Sequence, residues 1–237
     1  MKNRIQPGEI IVIDDVIPIQ DQNRIEQLCT SPALEWVYQE RSTAPLTNGV
    51  KKITIDPITS GDGKFTFVET SQLVHLMYGP LTEKQLAESK SKYKEHVTSI
   101  FYPHFITVLS SIPISYSGIK RIKLNMKHSV SSAIGVPDDA VGTPHVDFGM
   151  FDPNGVIAIY YVNDSDGDTL IFDQDYRDFR RNGVKGNFTL KQSVSPKKGR
   201  MVIFDGNLAH SAGLPRKNEV RIVLNINVAM HDFTQNS

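Results

Sequence analysis

The segment 220–228 constrains the fold most, because every second residue in it is apolar. Its even positions form one apolar face: Val220, Ile222, Leu224, Ile226 and Val228. Successive side chains of a strand leave opposite faces, so the odd positions face the other way: Arg221, Val223, Asn225 and Asn227. This pattern predicts a strand covered on its apolar face by another layer of the protein.

Four other runs with the character of strands precede this segment, at 119–127, 156–163, 169–172 and 200–204. Loops containing Gly, Pro and Asp join them, and no helical crossover separates them. Such an order favours an antiparallel jelly roll, a cupin-like β barrel, over a parallel sheet. We therefore predict an α+β domain built on this barrel.

The first half of the chain is expected to be a helix-rich cover. Residues 9–16 predict a short strand and residues 21–29 a helix, and runs at 51–55 and 64–69 flank a glycine-containing turn. Residues 82–112 carry an apolar stripe at helical spacing, which Pro103 should break or kink. We expect helices within 1–118 to pack on the larger sheet of a core spanning 119–229.

Length and composition set the broad class of the protein. A chain of 237 residues suits one large β-rich domain. Its 26 basic and 26 acidic residues cancel, so overall charge does not favour nucleic acid or a membrane surface as a partner. Cys29 is the only cysteine, and no stretch approaches the ~20 apolar residues of a membrane span. These observations predict a soluble, cytoplasmic protein.

Three residues have the spacing of metal ligands: His145, Asp147 and His210. On an extended backbone, His145 and Asp147 leave the same face and can reach one ion. His210 follows 65 residues later, after a strand and a tight turn. Two imidazoles and a carboxylate form the facial triad of non-haem iron enzymes, which leaves coordination positions open. The alternative to a metal site is that His210 is a surface histidine and that the carboxylate of Asp147 caps backbone donors. If a further metal ligand is needed, His128 is a reserve candidate.

Arg221 is the fourth candidate functional residue, as a binding group for an anion and not as a metal ligand. If the apolar face of 220–228 packs on helices, the guanidinium of Arg221 points into the barrel, where it would be costly without an anion. A ligand carboxylate held by the bidentate guanidinium is one answer. The other is an exposed sheet face that leaves Arg221 in water.

Taken together, the segments 143–147 (TPHVD) and 159–164 (IYYVND), followed by His210 and Arg221, resemble the iron(II)- and 2-oxoglutarate-dependent dioxygenases. Within these, the chain is most similar to the prolyl-hydroxylase-related branch. The resemblance covers about residues 119–229 and implies a double-stranded β-helix. It also implies that His145, Asp147 and His210 bind iron, and that Arg221 pairs with the distal carboxylate of 2-oxoglutarate.

The resemblance implies further co-substrate contacts. Tyr161 matches a position where relatives supply a hydroxyl group to that carboxylate, although strand parity does not choose between Tyr160 and Tyr161, and a tyrosine of the core is the alternative. Relatives often carry another tyrosine on the strand before the His-x-Asp pair. This chain has Asn125 and Lys127 there, and either could replace the missing hydrogen-bond donor or face solvent.

The activity implied is hydroxylation of a C–H bond with dioxygen and 2-oxoglutarate, with ascorbate as a candidate auxiliary reductant. The expected substrate is a prolyl or other amino-acid side chain in a peptide, or a free amino acid. Nucleic acid and membrane are not expected partners: relatives that repair nucleobases carry a second arginine after the co-substrate arginine, and none follows Arg221. Three alternatives remain: a non-catalytic jelly-roll protein that binds a metal or ligand, a cupin-type metalloenzyme, and an oxygenase that acts on a nucleobase or another small molecule.

Overall fold

The structure is a computed structural model. It describes residues 5–40, 58–59, 65–80, 96–131, 135–147, 155–175 and 188–230. The expected strand at 51–55 and the glycine-containing turn at 60–63 lie outside the described residues, as does the first part of the expected helix at 82–112.

An eight-stranded antiparallel sheet forms the centre of the molecule, with strand order β1-β12-β9-β14-β7-β5-β2 and β6 paired with β5. Its strands are β1 (Ile10–Ile13), β2 (Val37–Gln39), β5 (Gln72–Pro80), β6 (His96–Thr98), β7 (Gly118–His128), β9 (Gly155–Tyr161), β12 (Met201–Asp205) and β14 (Val220–Ala229). The longest pairing joins β14 to β7, so the alternation seen in 220–228 lies in the middle of this sheet. That central position buries both faces of β14.

Two three-stranded sheets complete the β structure. One has the order β11-β10-β13 and contains β10 (Thr169–Asp175), β11 (Leu190–Val194) and β13 (Leu208–Ala212). The other has the order β3-β4-β8 and contains β3 (Ile58–Thr59), β4 (Thr66–Val68) and β8 (Ala140–Gly142). Single antiparallel bridges, Val141 to Gly213 and His145 to His210, link the chain around β8 to β13.

Side chains of alternate parity on the central strands enter two different apolar clusters. Val156, Ala158 and Tyr160 of β9 lie in one cluster with residues of the helices, whereas Ile157, Ile159 and Tyr161 lie in a second. The second cluster also contains Ile171 of β10 and Leu208 of β13. It therefore fills the space between the central sheet and the β11-β10-β13 sheet, as in a two-layered β structure.

Helices are few among the described residues. The expected helix at 21–29 is present as α1 (Ile19–Thr30), which buries Ile25 and Cys29. The segment 82–112 is not one helix: β6 lies at His96–Thr98, a 3-10 helix at Tyr102–Phe105 and α2 at Ile106–Ser111. The helical prediction was wrong at β6, because an apolar stripe does not reveal that Tyr78, Gly79 and Pro80 offer a neighbouring strand for pairing.

The fold is sheet-rich and mostly antiparallel, as the jelly-roll prediction requires, and β4 and β8 form a parallel pair. Strands were expected for each of β7, β9, β10, β12 and β14, and all five are present. The three sheets do not join into a closed barrel through the residues described, so the cupin-like barrel of the prediction is open. No helix in these parts of the chain is long and apolar enough to cross a lipid bilayer.

Candidate metal centre and adjoining anion site

The backbones of His145 and His210 are held face to face. The N–H of His145 donates to the carbonyl of His210 at 2.9 Å, and the N–H of His210 donates back to the carbonyl of His145 at 2.9 Å. Their ring centroids are 4.5 Å apart. Two residues that are distant in sequence are therefore fixed as neighbours by paired hydrogen bonds, before any ion is considered.

Both imidazole rings present the same nitrogen to the site. The Nδ1 atom of His145 lies 3.2 Å from the carbonyl oxygen of Thr143, and the Nδ1 atom of His210 lies 3.2 Å from that of Leu208. Because a carbonyl can only accept, each Nδ1 carries the proton and each Nε2 keeps its lone pair. A carbonyl on the second nitrogen is the usual way in which proteins orient a histidine that binds a metal.

Asp147 completes the group. The ligand atoms of His145, Asp147 and His210 all lie within 4.8 Å of one another. The Oδ1 atom of Asp147 lies 3.7 Å from Nε2 of His145, while Oδ2 accepts hydrogen bonds from Asn225 at 2.6 Å and Asn227 at 3.1 Å. The two amides therefore hold the carboxylate so that Oδ1 faces the imidazoles.

Arg121 is a neighbour of the carboxylate that the sequence did not single out. Its Nη2 lies 3.1 Å from Oδ1 of Asp147, and its Nε donates to Oδ1 of Asn227 at 2.9 Å. Arg121 and Asn227 are cross-strand partners on β7 and β14. The alternation along β7 could have shown that Arg121 faces inward, but not that its partner would be Asp147.

The electrostatics favour a cation at this position. Burial lowers the pKa of His210 to about 4, with a further contribution from His145, and burial also lowers the pKa of His145. Burial opposes ionisation of Asp147, but the charge of Arg121, followed by those of the two histidines, outweighs it and holds the pKa of Asp147 well below its usual value. At neutral pH the site thus offers two neutral imidazoles and one carboxylate.

These residues fit a divalent first-row metal ion. Nε2 of His210 is buried and has no hydrogen-bond partner among the residues described, and buried polar atoms without a partner are rare in proteins. Two imidazole nitrogens and one carboxylate oxygen form the donor set of non-haem iron sites with open positions. The geometry is therefore consistent with the predicted ligand set, His145, Asp147 and His210.

Arg221 lies inside the protein and not on an exposed face of the sheet. It is 3% exposed. Its Nε donates to the carbonyl of Gly167 at 2.7 Å, its Nη2 donates to Oγ1 of Thr169 at 2.8 Å, and its guanidinium carbon is 5.7 Å from the centre of the Tyr161 ring. Burial lowers the pKa of Arg221. None of these three neighbours carries a full negative charge, and the charge of Asp168 acts on Arg221 without forming an ion pair with it in the described part of the chain. The guanidinium therefore remains available to an anionic ligand.

The two adjacent tyrosines face opposite sides of the sheet. The hydroxyl group of Tyr161 donates to Oγ1 of Thr169 at 2.7 Å, beside the guanidinium of Arg221. Tyr160 lies in the cluster that contains the helices, and among the described residues its buried hydroxyl group has no partner. The structure therefore places Tyr161, and not Tyr160, next to Arg221.

Asn125 and Lys127 both face inward on β7, opposite Val223 and Arg221 of β14. Oδ1 of Asn125 is buried without a hydrogen-bond partner in the described part of the chain. Lys127 is 5% exposed and donates from Nζ to Oγ1 of Thr70 at 2.6 Å. Burial, then the charge of Arg221, lowers the pKa of Lys127 to about 8.

A cavity of about 390 Å³ opens beside Lys127. It is lined by Thr70, Gln72 and Leu214 among others, and His128 lies at its edge. His128 is exposed and is not one of the three clustered ligands. The cavity therefore adjoins the Arg221 end of the site, and the reserve assignment of His128 as a metal ligand gains no support.

Comparison of the sequence with protein-family models and with curated proteins finds no match. Solved structures of similar fold include a prolyl hydroxylase from Trichoplax adhaerens bound to a peptide fragment of the hypoxia inducible factor oxygen degradation domain. This chain is 10% identical to it, with 94% of this chain and 84% of that chain covered and a TM-score of 0.50.

Two other similar structures have lower TM-scores. An oxidoreductase of the 2OG-Fe(II) oxygenase family from Burkholderia pseudomallei is 12% identical, covering 98% of this chain and 97% of that chain, with a TM-score of 0.48. A prolyl-4-hydroxylase from Pseudomonas putida is 11% identical, covering 95% and 94%, with a TM-score of 0.46. At such identities the likeness concerns the fold. The structure from Trichoplax adhaerens, with its TM-score of 0.50, shows a fold similar to that of a prolyl hydroxylase, as the sequence resemblance predicts.

Proposed function

We propose that this protein is an iron(II)- and 2-oxoglutarate-dependent dioxygenase that hydroxylates a C–H bond. The observation that carries the proposal is one interior that holds both a set of metal-ligand atoms and a buried cation. His145, Asp147 and His210 present ligand atoms within 4.8 Å of one another. On the same interior, Arg221 is buried against neutral partners. A metal-binding module would need the first feature, but has no use for the second.

In this proposal the protein residues position and protect the reactants. Asn225 and Asn227 orient Asp147, and the backbone carbonyls on Nδ1 keep both Nε2 atoms directed at the ion. Bound ferrous iron would supply the electron chemistry that activates dioxygen, which amino-acid side chains cannot perform. The apolar cluster that contains Val223 and Phe204 would exclude water from the side of the site that faces the β11-β10-β13 sheet.

The co-substrate contacts are proposed from the same geometry. The guanidinium of Arg221 would bind the distal carboxylate of 2-oxoglutarate, assisted by the hydroxyl groups of Tyr161 and Thr169. Lys127, the cross-strand partner of Arg221, would add a second positive charge. Asn125 lies one inward position from Lys127 towards the metal end of β7, where its amide Nδ2 would donate a hydrogen bond to the bound co-substrate.

For the substrate, we propose a prolyl or other amino-acid side chain in a peptide, or a free amino acid. The likeness to the Trichoplax prolyl hydroxylase, whose structure contains a peptide, supports this choice, as does a net charge of zero, which gives no general attraction to nucleic acid. We also propose dioxygen as the second co-substrate, ascorbate as an auxiliary reductant and a cytoplasmic location, in a chain that folds as one domain.

The test is an anaerobic titration of the metal-free protein with Fe(II), with and without 2-oxoglutarate. A visible charge-transfer band should appear only when both are present, because it arises from the co-substrate chelating the metal. His210→Ala should abolish the band, whereas His104→Ala, which removes an exposed histidine on the 3-10 helix, should preserve it. A wild-type protein without this band would refute the proposed function.

A further inference from the structure

Lys123 is an inward-facing cation at the metal end of the site. It lies on β7 between Arg121 and Asn125, and its cross-strand partner on β14 is Asn225, which donates to Asp147. The charge of Lys123 acts on both His145 and Asp147. Its position along the strand therefore places Lys123 beside the metal ligands.

The other cations of this interior already have assigned contacts. Arg121 lies against Asp147, Lys127 donates to Thr70, and Arg221 occupies the proposed co-substrate site. Arg221 and the partner of Lys123, Asn225, are four residues apart on β14, which is about 13 Å along a strand. Lys123 is thus at the end where a substrate must lie to be oxidised, and not at the end that anchors the distal carboxylate.

The ammonium group of Lys123 has no counter-ion of its own in the part of the chain that the structure describes. Within the described residues it makes no hydrogen bond or ion pair, and the carboxylate whose charge acts on it, Asp147, already has Asn225, Asn227 and Arg121 as partners. Burial, then repulsion by Arg121, lowers the pKa of Lys123 to about 8, so the group remains mostly charged at pH 7. A partly buried charge in this situation favours an anionic ligand.

A second polar atom next to Lys123 points to the same kind of ligand. Asn225 must direct its Nδ2 at Asp147, because a carboxylate oxygen can only accept. Its Oδ1 is buried and has no hydrogen-bond partner among the residues described. A ligand at this position could therefore donate an N–H group to Oδ1 of Asn225 and place a carboxylate against the ammonium group of Lys123.

We propose that Lys123 determines substrate specificity by binding a free carboxylate of the substrate, with Asn225 accepting a hydrogen bond from an adjacent N–H group. This inference rests on the proposed function and narrows its substrate class to amino acids or peptides with a carboxylate near the oxidised carbon. The carboxylate has two possible sources. It is the α-carboxylate of a free amino acid, or the side chain of Asp or Glu within a peptide.

The experiment uses full-length protein with Fe(II) and saturating 2-oxoglutarate at pH 7, and matched acid and amide probes. One arm compares free amino acids with their α-amides. The other compares end-blocked peptides containing Asp or Glu with peptides containing Asn or Gln. Binding is measured anaerobically as the change that each probe causes in the charge-transfer band, and turnover is measured in air as probe-stimulated release of succinate. The arm in which the acids are preferred identifies the source of the carboxylate.

We expect wild-type protein to prefer acids over amides by about tenfold or more, the effect of one charged hydrogen bond. Lys123→Met should abolish this preference and leave the KM for 2-oxoglutarate within about twofold, and Lys123→Arg should retain much of it. Lys120→Met, an exposed position on the same strand, is the matched control and should behave as wild type. Melting curves of the variants show that each one is folded.

Three results would overturn the inference. The first is a wild-type protein that binds no acid better than its amide in either arm, and the second is a Lys123→Met protein that keeps the preference. The third is a Lys123→Met protein in which the KM for 2-oxoglutarate rises instead, because Lys123 would then serve the co-substrate. Absence of the charge-transfer band in the wild type is a separate failure, since it contradicts the proposed function itself.

Discussion

Replacing Arg221 with methionine should weaken 2-oxoglutarate binding strongly without a matching loss of stability. The substitution removes a buried guanidinium that donates to the carbonyl of Gly167 and the hydroxyl group of Thr169. Methionine fills a similar volume with apolar atoms. The substitution changes the free energy of unfolding of the free protein and the free energy of co-substrate binding by different amounts. The two changes can be measured separately.

For the free protein, two contributions oppose each other. Loss of the hydrogen bonds leaves the carbonyl of Gly167 without the partner it has now, at a cost of about 1 to 3 kcal/mol. Removal of a buried charge that faces neutral groups relieves a desolvation penalty of several kcal/mol, and such replacements are often neutral or stabilising. We therefore expect the free energy of unfolding of the metal-free, ligand-free protein to change by less than about 2 kcal/mol in either direction.

For co-substrate binding, the loss should be about 2 to 5 kcal/mol, the range for truncating one partner of a buried charge pair. A loss of 2 kcal/mol corresponds to a dissociation constant about 30-fold higher. At 100 times the wild-type dissociation constant, 2-oxoglutarate stabilises the wild type by ~2.7 kcal/mol. The same concentration would stabilise Arg221→Met by only ~0.9 kcal/mol.

The assay is chemical denaturation of both proteins under anaerobic conditions with Fe(II), with and without 2-oxoglutarate at that fixed concentration. Arg216→Met, which changes an arginine in the loop before β14, is the matched control and should show the full wild-type stabilisation. If 2-oxoglutarate stabilises Arg221→Met as much as the wild type, Arg221 does not bind the co-substrate and the assignment of this pocket is wrong.

Three further outcomes follow from the described contacts. Tyr161→Phe should raise the KM for 2-oxoglutarate in a succinate assay, because it removes a hydroxyl group beside the guanidinium; Tyr160→Phe should leave this KM unchanged and should not lower the melting temperature, since its hydroxyl group is buried without a partner in the described residues. Cys29 should resist alkylation at pH 8 in the native state and react after denaturation, because it is 0% exposed and burial raises its pKa to about 12; rapid labelling of folded protein would contradict this. Asp14→Asn should destabilise the protein modestly at pH 6, because hydrogen bonds from Arg200, then Lys197, lower the pKa of Asp14 to about 2. The folded-state pKa is below the unfolded value, so this contribution is complete above about pH 5 and is lost as the pH falls from about 4 towards 2; denaturation curves that show an equal difference at pH 6 and pH 3 would refute it.

Several features of the fold could be predicted because they depend on local periodicity. The alternation in 220–228 placed Arg221 on the face opposite Ile222 and Leu224, and the structure has Arg221 buried on the interior side. The positions of β7, β9, β10, β12 and β14 also followed from composition and turn residues. A strand has a period of two, so a few residues are enough to assign each side chain to a face.

Other features depend on which segments meet, and these could not be predicted. The strand at His96–Thr98 exists because β5 offers it a pairing edge, which an apolar stripe in 82–112 does not reveal. The choice between Tyr160 and Tyr161 required the location of Thr169 on β10, because parity separates two adjacent residues but does not say which face is the interior. The alternation placed Asn225 and Asn227 on the same face as Arg221, but it did not show that both would donate hydrogen bonds to Asp147.

The sequence by itself determined the identities and spacing of the candidate metal ligands, His145, Asp147 and His210, and the side of the strand on which Arg221 lies. Only the tertiary structure decided that the two histidine backbones pair with each other, that Arg121 lies against Asp147, and that Lys123 faces the same interior with no ion-pair partner among the described residues. The physical reason is the difference between local interactions and interactions of residues that are distant in sequence. A side chain's face is set by its own backbone, whereas its partners and its desolvation are set by segments that fold against it from elsewhere in the chain.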